Sequence, residues 1–259
     1  MSVMSNILSR PKIIVSTNAE AAAQEVARRF EVAISVRPDI VLGLATGNSP
    51  KSVYDRLMAA YNNGKLSFAR VTSFNLDEYC GLPNGHPSSF STYMREKLFS
   101  KVDIEPGNYH LPDGGAPNLE AVAKAYEAAI SASGGIDLQL LGIGRNGHIA
   151  FNEPGSSPMS RTRAVELSAI TVEANRADFP AGETPPRHAI TMGIGTILEA
   201  REIVLLATGA AKAAALDAAI NGPVCDACPA SFLQLHPNVT IVCDNAAYGA
   251  APSAVPTRL

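Results

Sequence analysis

Short apolar runs alternate with helical patterns along most of this chain. After the first run, at residues 13–16, the side chains of Val26, Phe30 and Ala33 fall on one helical face. Five further apolar runs predict strands at residues 39–45, 71–74, 136–141, 203–207 and 239–243. Helical patterns lie between most of these strands, notably at residues 119–131 and 210–220. Strands that alternate with helices favour parallel pairing through right-handed crossovers.

The pattern therefore predicts one α/β domain over residues 1–259, with a single doubly wound, mostly parallel, Rossmann-like sheet and helices on both faces. No repeat, charge run or low-complexity linker divides the chain. In sheets of this kind, ligands bind outside the carboxyl ends of the strands. We therefore expect the site among the loops that begin at Thr46, Asn75, Gly142 and Thr208.

Two helix starts carry local capping signals. The segment from Thr17 to Glu20 has the form of a capping box, in which a hydroxyl and a carboxylate satisfy the exposed amides. Ser49 suits the capping position of the next helix, because Pro50 suits the first helical position.

Composition and charge argue against nucleic-acid-binding, secreted and membrane-spanning proteins. Of 259 residues, 46% are hydrophobic and 17% are charged, and the formal net charge is −3, so we expect no nucleic-acid partner. Residues 1–12 lack the apolar core of a signal peptide. The apolar stretch at residues 203–220 is interrupted by Lys212 and Asp217, which is untypical of a membrane span. We expect a soluble, cytoplasmic protein.

The chain has four cysteines, too few for a disulfide scaffold at this length. Cys225 and Cys228 form a C-x-x-C, but no second ligand pair completes a structural zinc site. The pair also follows Asn-Gly-Pro, whereas a redox C-x-x-C usually opens a helix just after a strand. We interpret these thiols as incidental and expect no metal.

A glycine-rich loop follows the strand predicted at residues 136–141. Gly142 to Gly147 satisfies G-x-G-x-x-G, but a dinucleotide fingerprint must open an apolar helix, and here a turn and Pro154 follow. The loop is better interpreted as an acid–base site. His148 titrates near neutral pH, and Glu153 can fix its tautomer. The alternative is a histidine that only caps a turn.

Two other loops carry candidate polar groups. Adjacent Asp77 and Glu78 follow a strand, and one of them could be a base with a raised pKa. The alternative is a polar loop in which Asp77 caps the next helix. Amides at a helix start form anion sites, and two loops offer this arrangement. One comprises Thr46, Gly47, Asn48 and Ser49; the other runs from Thr208 to Lys212. Loops that merely need glycine are the alternative.

Taken together, these residues resemble the glucosamine-6-phosphate deaminases. The shared motifs are LGLATGNSP at 42–50, FNLDEY at 74–79, LGIGRNGHIAFNEP at 141–154, SRTR at 160–163, TMGIGT at 191–196 and SFLQLHP at 231–237. Together they span about residues 12–245. The related 6-phosphogluconolactonases normally lack the FNEP continuation. A lactonase and a non-catalytic sugar-phosphate-sensing domain are the alternatives.

The resemblance implies conversion of glucosamine 6-phosphate and water to fructose 6-phosphate and ammonia without cofactor or metal. It implies ring opening by His148, assisted by Glu153 and by Asn146, where some members carry aspartate. Asn146 is expected to accept a hydrogen bond from the imidazole. Asp77 would move the C2 proton to C1. The resemblance also implies that residues 46–49, Lys212 and an arginine bind the phosphate. Arg176 is our candidate for this arginine, although the local spacing is one residue short.

The resemblance also bears on regulation and assembly. Some members are hexamers that N-acetylglucosamine 6-phosphate activates through a serine, an arginine and a lysine. Ser156 and Arg163 match, but the lysine position holds Val165, and Glu166 follows it. Residues 250–259 do not resemble the longer end of activated members. We therefore expect hyperbolic kinetics; a homo-oligomer is compatible with the resemblance.

Overall fold

The computed structural model describes residues 10–249. Our expectations for residues 1–9, where a signal peptide was sought, and for residues 250–259 lie outside this part of the chain. Within it, no helix is both long enough and apolar enough to cross a membrane.

The main sheet has seven strands, all parallel. In chain order they are β1 (Lys12–Ser16), β2 (Val41–Leu44), β3 (Thr72–Asn75), β5 (Tyr109–His110), β6 (Leu138–Gly142), β9 (Glu202–Ala207) and β10 (Val239–Asp244). Three more strands, β4 (Asp77–Tyr79), β7 (Arg163–Glu166) and β8 (His188–Thr191), form a separate small sheet. The six predicted strands are confirmed, and β5 extends the sheet at one edge.

Helices connect the strands. They are α1 (Ala19–Val36), α2 (Asn48–Asn62), α3 (Phe90–Lys97), α4 (Leu119–Ala132), α5 (Ala169–Asn175), α6 (Ile194–Leu198), α7 (Ala213–Asn221) and α8 (Asn245–Tyr248). Every residue of β2 and β10 is buried, as are nearly all of β6 and β9. Parallel strands buried in this way are covered on both faces. The predicted doubly wound α/β fold is confirmed.

The strand order β1-β10-β9-β6-β2-β3-β5 locates the crevice. From β2 the chain builds outward through β3 to β5, then returns to the other side of β2 and builds toward β1. The order reverses between β2 and β6, and ligands bind at such a switch point. Neighbouring strands lie about 4.8 Å apart, so the ends of β3 and β6 are separated by roughly 10 Å.

The small sheet was not predicted. Its order is β4-β8-β7, and both pairings are antiparallel. Asp77 opposes Thr191, and Tyr79 opposes Ala189. A separate cluster of buried apolar side chains packs here; it comprises Tyr79, Phe151, Leu167, Phe179 and Ala189. The small sheet thus attaches the segments after β3 and β6 to each other.

Two capping predictions were wrong in detail. Asn18, not Thr17, caps α1, because its side chain accepts the Ala21 amide at 2.9 Å. Gly47 occupies the capping position of α2 without a side-chain hydrogen bond, so Ser49 lies inside the first turn. The first backbone amides of α2 therefore have no side-chain cap. Amides left without a cap at a helix start can bind an anion.

Candidate active site

The two adjacent carboxylates at the end of β3 have different environments. The Glu78 carboxylate accepts the backbone amides of Tyr79, Phe90 and Ser91 at 2.8–2.9 Å, and so fixes the start of α3. Asp77, by contrast, has no hydrogen-bond or ion-pair partner for its carboxylate among residues 10–249. It is only 6% exposed. Glu78 is therefore a structural acceptor, whereas the carboxyl group of Asp77 is buried without a partner among the described residues.

Burial raises the pKa of Asp77 to about 8, and the negative charge of Glu78 adds to the shift. A carboxylate without a protein partner is costly to bury, so such groups are retained where a ligand or a reaction uses them. A base is most effective when its pKa lies near the working pH. The position of Asp77 at the carboxyl edge of the sheet is therefore that of a candidate base.

In the loop that follows β6, the His148 side chain packs against the backbone of Gly144. A Cβ atom on Gly144 would lie 2.2 Å from Cε1 of His148, so this glycine leaves the space in which the imidazole packs. Gly147 adopts φ +82°, a conformation that L side chains rarely adopt. The glycines of the G-x-G-x-x-G pattern therefore leave room for the His148 imidazole and allow the backbone to turn.

His148 faces a carboxylate. Its Nδ1 atom lies 4.0 Å from Oε2 of Glu153 and is buried without a hydrogen-bond partner. Burial lowers the pKa of His148, the Lys212 cation lowers it further, and Glu153 opposes both. The imidazole is thus held mainly neutral at pH 7, in the form that can accept a proton.

Asn146 supports this pair differently from our expectation. Its amide nitrogen donates to Oε2 of Glu153 at 2.7 Å, and its oxygen accepts the backbone amide of His148 at 3.2 Å. The predicted hydrogen bond from the imidazole to Asn146 is not formed in the structure, where Nδ1 of His148 has no hydrogen-bond partner. Ser168 and Thr171 donate to the other oxygen of Glu153. Neither residue was predicted, because α5 lies outside the motifs.

A buried amide holds the loop in shape. Asn152 donates to the carbonyls of Ile149 and Met192 at 3.0 and 2.8 Å, and accepts Arg163 at 2.9 Å. Between them Ala150 has φ +50°, in the left-handed region that costs energy for a residue with a Cβ. Asn152 therefore stabilises a strained loop and ties it to β8.

The glycine loop after β2 is organised by tyrosine hydroxyls. Tyr93 on α3 donates to the Gly47 carbonyl at 2.6 Å, and Tyr54 on α2 donates to the Ala45 carbonyl at 2.5 Å. Gly47 itself has φ +110°, which favours glycine. These contacts turn the loop so that the uncapped amides of α2 lie at the switch point, beside the end of β6.

The second glycine loop differs from the first. The Gly209 amide donates to both carboxylate oxygens of Asp244, at 3.0 and 3.1 Å. The expectation that this loop repeats the first as an anion site is thus wrong at Gly209, because a buried carboxylate already takes the amide. Lys212 remains available. Burial lowers the pKa of Lys212, and the charge of the neighbouring Arg145 lowers it further. The Lys212 charge in turn lowers the pKa of His148.

The Arg176 side chain pairs with a neighbour in its own segment. Its Nε atom donates to Glu173 at 2.9 Å, and its side chain is 52% exposed. Its neighbour Asn175 instead donates to the Tyr79 hydroxyl. The structure therefore brings together the loops carrying Asp77, His148, Glu153 and Lys212 at one sheet edge, and leaves the role of Arg176 a prediction.

Within residues 10–249, no three His, Cys, Asp or Glu side chains cluster as metal ligands would. The absence of a cofactor from the reaction stays a prediction, since no observation tests it.

Comparison with known proteins identifies the family. Residues 16–242 match the model of the glucosamine-6-phosphate isomerases/6-phosphogluconolactonases. The chain belongs to this family.

Relatives within the family match most of the chain. A glucosamine-6-phosphate deaminase from Shewanella loihica is 51% identical over 236 residues, covering 91% of this chain and 88% of its own. The corresponding enzyme of Rhodopirellula baltica is also 51% identical, with coverages of 91% and 94%. A monomeric glucosamine-6-phosphate deaminase of known structure is 42% identical, with a TM-score of 0.90 over 92% of this chain and 99% of its own.

The other branch of the family is more distant. The 6-phosphogluconolactonase of Trypanosoma brucei has a TM-score of 0.75 but is only 23% identical, over 94% of this chain and all of its own. That likeness shows the shared fold alone. The family fold is thus common to both branches, while sequence similarity is much greater to the deaminase branch.

Proposed function

We propose that this protein is a glucosamine-6-phosphate deaminase, an enzyme that converts glucosamine 6-phosphate and water to fructose 6-phosphate and ammonia. The observation that carries the proposal is the buried, unpartnered Asp77 carboxylate at the same sheet edge as the His148–Glu153 pair. The deaminase relatives at 51% identity support the substrate. We infer the individual residue roles below from the geometry.

His148 performs the first step in this proposal. The neutral imidazole accepts the proton of the anomeric hydroxyl and returns a proton to the ring oxygen, which opens the pyranose. Glu153 stabilises the imidazolium that forms between the two transfers, and Asn146 holds Glu153 by its 2.7 Å hydrogen bond. A positioned acid–base group of this kind contributes about 10²–10⁴-fold.

Asp77 performs the second step. Its carboxylate takes the C2 proton of the open-chain sugar and returns it at C1, while the C1 carbonyl accepts the electrons and its oxygen takes a proton from the C2 ammonium group. The product at C2 is an imine, to which water adds before ammonia leaves. The protonated C2 amine of the substrate supplies the positive charge that Asp77 lacks in the protein, which favours the ionised base in the complex.

The phosphate is assigned to the α2 start. Uncapped amides at residues 47–49 and the Thr46 and Ser49 hydroxyls donate hydrogen bonds, and Lys212 adds a positive charge. Because the Gly209 amide already donates to Asp244, Lys212 is the main group that this loop contributes to phosphate binding.

The test of the proposal is ammonia release by the purified protein. Glucosamine 6-phosphate should yield ammonia and fructose 6-phosphate in equal amounts, and unphosphorylated glucosamine should be a very poor substrate. 6-Phosphogluconolactone is the comparison substrate. Hydrolysis of the lactone without ammonia release from the amino sugar would place the protein in the other branch, and binding of sugar phosphate without either reaction would indicate a sensing domain.

Lys212→Ala should weaken substrate binding. A charge-assisted hydrogen bond is worth about 1.5–3 kcal/mol, so KM should rise roughly ten- to a hundredfold with a smaller change in kcat. Steady-state kinetics with glucosamine 6-phosphate measure both constants. Lys124→Ala is the control, because Lys124 is exposed on α4 and pairs only with Glu120. An unchanged KM in Lys212→Ala would exclude contact with the phosphate.

N-Acetylglucosamine 6-phosphate should have little effect on the kinetics. The residues expected at an effector site line one cavity of about 350 Å³, but Glu166 contributes a carboxylate to it and Val165 a neutral side chain. Loss of one charge-assisted contact costs about 1.5–3 kcal/mol, as large as a typical coupling energy. Substrate curves should be hyperbolic with and without the compound.

The matched variant is Val165→Lys, which restores a cation at the edge of this cavity and should tighten binding of the compound. Calorimetry on both proteins measures this. Sigmoidal curves in the unmodified enzyme that become hyperbolic with N-acetylglucosamine 6-phosphate would refute the inference.

The cytoplasmic location and the oligomeric state remain predictions. We propose that the active unit is a single chain. A relative of known structure is a monomeric enzyme. Light scattering during turnover distinguishes a monomer from a homo-oligomer.

A further inference from the structure

The C-x-x-C motif lies against the catalytic loop. We call residues 225–228 the thiol turn and residues 147–155 the His148 loop. The Gly155 amide donates to the Asp226 carbonyl at 2.9 Å, and the Ala230 amide donates to the Gly147 carbonyl at 2.8 Å. The segment containing the thiol turn thus holds both ends of the loop that carries His148 and Glu153.

One of the sulfur atoms packs directly on that loop. A Cβ atom on Gly147 would lie 2.6 Å from Sγ of Cys228. The sulfur therefore fills the space beside the backbone that immediately precedes His148. Cys228 is buried, whereas Cys225 is partly exposed. Gly147 cannot be replaced by a bulkier residue without displacing Cys228, so the two positions depend on each other.

The thiol turn also has the geometry that a disulfide needs. The Cys228 amide donates to the Cys225 carbonyl at 3.3 Å, so residues 225–228 form a four-residue turn. The ends of such a turn have Cα atoms less than 7 Å apart, and disulfides join Cα atoms at 4.4–6.8 Å. Both thiols are free in the structure. Ser231 braces the turn through its hydroxyl, which contacts the backbone of Cys225.

We propose that Cys225 and Cys228 form a reversible disulfide that lowers the activity of the enzyme by displacing the His148 loop. The oxidant is a small-molecule disulfide of the glutathione class. The inference adds regulation to the proposed function and uses its assay.

The exchange is balanced in atoms and electrons. The Cys225 thiolate attacks one sulfur of the external disulfide, whose S–S bond breaks and releases one thiol. Cys228 then loses its proton and attacks the Cys225 sulfur, which releases the second thiol. The protein is oxidised by two electrons, and the external disulfide is reduced to two thiols. Burial raises the pKa of the Cys228 thiol, so the more exposed Cys225 reacts first.

Bond formation must move atoms that the loop depends on. The two sulfurs come to about 2.05 Å, which requires Cys228 to leave its contact with Gly147 or the thiol turn to tighten. Either change acts on the hydrogen bonds at Gly147 and Gly155, and so on the distance between His148 and Glu153. A misplacement of about 1 Å in a catalytic group costs roughly 10²-fold. Oxidation should therefore lower kcat ten- to a hundredfold.

The experiment compares the full-length protein reduced with dithiothreitol and oxidised with oxidised glutathione. Peptide mass mapping should show one disulfide between Cys225 and Cys228, with the loss of two hydrogens. Activity should fall with its formation and return on reduction. Cys225→Ser should keep the basal activity and lose the response, whereas Cys80→Ser, the control, should keep both.

Two results would overturn the proposal: glutathione adducts without the internal disulfide, or a quantitative disulfide with full activity. If the reduced enzyme releases no ammonia, the proposed function fails, and the mass map still decides whether the disulfide forms.

Discussion

Asp77→Asn should lower turnover of glucosamine 6-phosphate by two or more orders of magnitude while the protein stays folded. The substitution keeps the shape and polarity of the side chain but removes the base. Because Asp77 has no hydrogen-bond or ion-pair partner among residues 10–249, no other contact is lost. General-base contributions of about 10²–10⁴-fold set the expected size of the effect.

The direct measurement is exchange of the C2 hydrogen of the substrate with deuterated water. Wild-type protein should exchange this hydrogen, and Asp77→Asn should not. Glu78→Gln is the control. Its carboxylate fixes the start of α3, so this variant should lose stability but keep turnover within several-fold. Exchange at the wild-type rate in Asp77→Asn would exclude the role of Asp77.

The raised pKa of Asp77 has a second measurable consequence. The unfolded chain loses this proton near pH 3.8, whereas the folded protein keeps it until about pH 8. The folded state therefore binds more protons across this window, and the free energy of unfolding falls as pH rises through it. Asp77→Asn removes this penalty, so its melting temperature should exceed that of the wild type by the largest margin at pH 8 and above. A smaller difference at pH 8 than at pH 5 would contradict the shifted pKa.

His148→Gln should slow the cyclic substrate far more than an open-chain one. If His148 acts in ring opening, a 5-deoxy analogue, which lacks the oxygen that closes the pyranose, bypasses the step. We expect a loss of about 10²-fold or more with glucosamine 6-phosphate and a loss below tenfold with the analogue.

The comparison needs a control for general damage. His188→Gln changes an exposed histidine on β8 and should leave both substrates unaffected. Glu153→Gln should follow the pattern of His148→Gln with a smaller effect, because the imidazole remains. Equal losses with both substrates in His148→Gln would show that the residue acts elsewhere or supports the loop only.

The sequence determined the main sheet and its ligand-binding edge. Apolar runs bounded by glycine loops predicted six of its seven strands, because central parallel strands are buried on both faces and so lack polar residues. The motif also predicted that His148 and Glu153 lie close together, and their side chains are 4.0 Å apart. Local chemistry was enough for these features, since each depends on residues that are close in the chain.

Only the tertiary structure showed that the carboxylates of Asp77 and Glu78 have different environments. Both follow β3, but the Glu78 carboxylate accepts amides at the start of α3, whereas no described residue donates to the Asp77 carboxylate. The small antiparallel sheet was missed because its strands have three or four residues each, and β4 pairs with β8 across more than a hundred positions. Pairing at that separation depends on the packed core, which the local pattern does not encode.

The same reason explains the remaining corrections. The Gly209 amide binds Asp244, which lies 35 residues away, and the Asn146 oxygen accepts a backbone amide whose direction the loop decides. Sequence alone predicted which residues carry the chemistry. Which of their polar groups stay free for a substrate was decided by the folded structure, because buried polar groups pair with whatever partner the packing brings near.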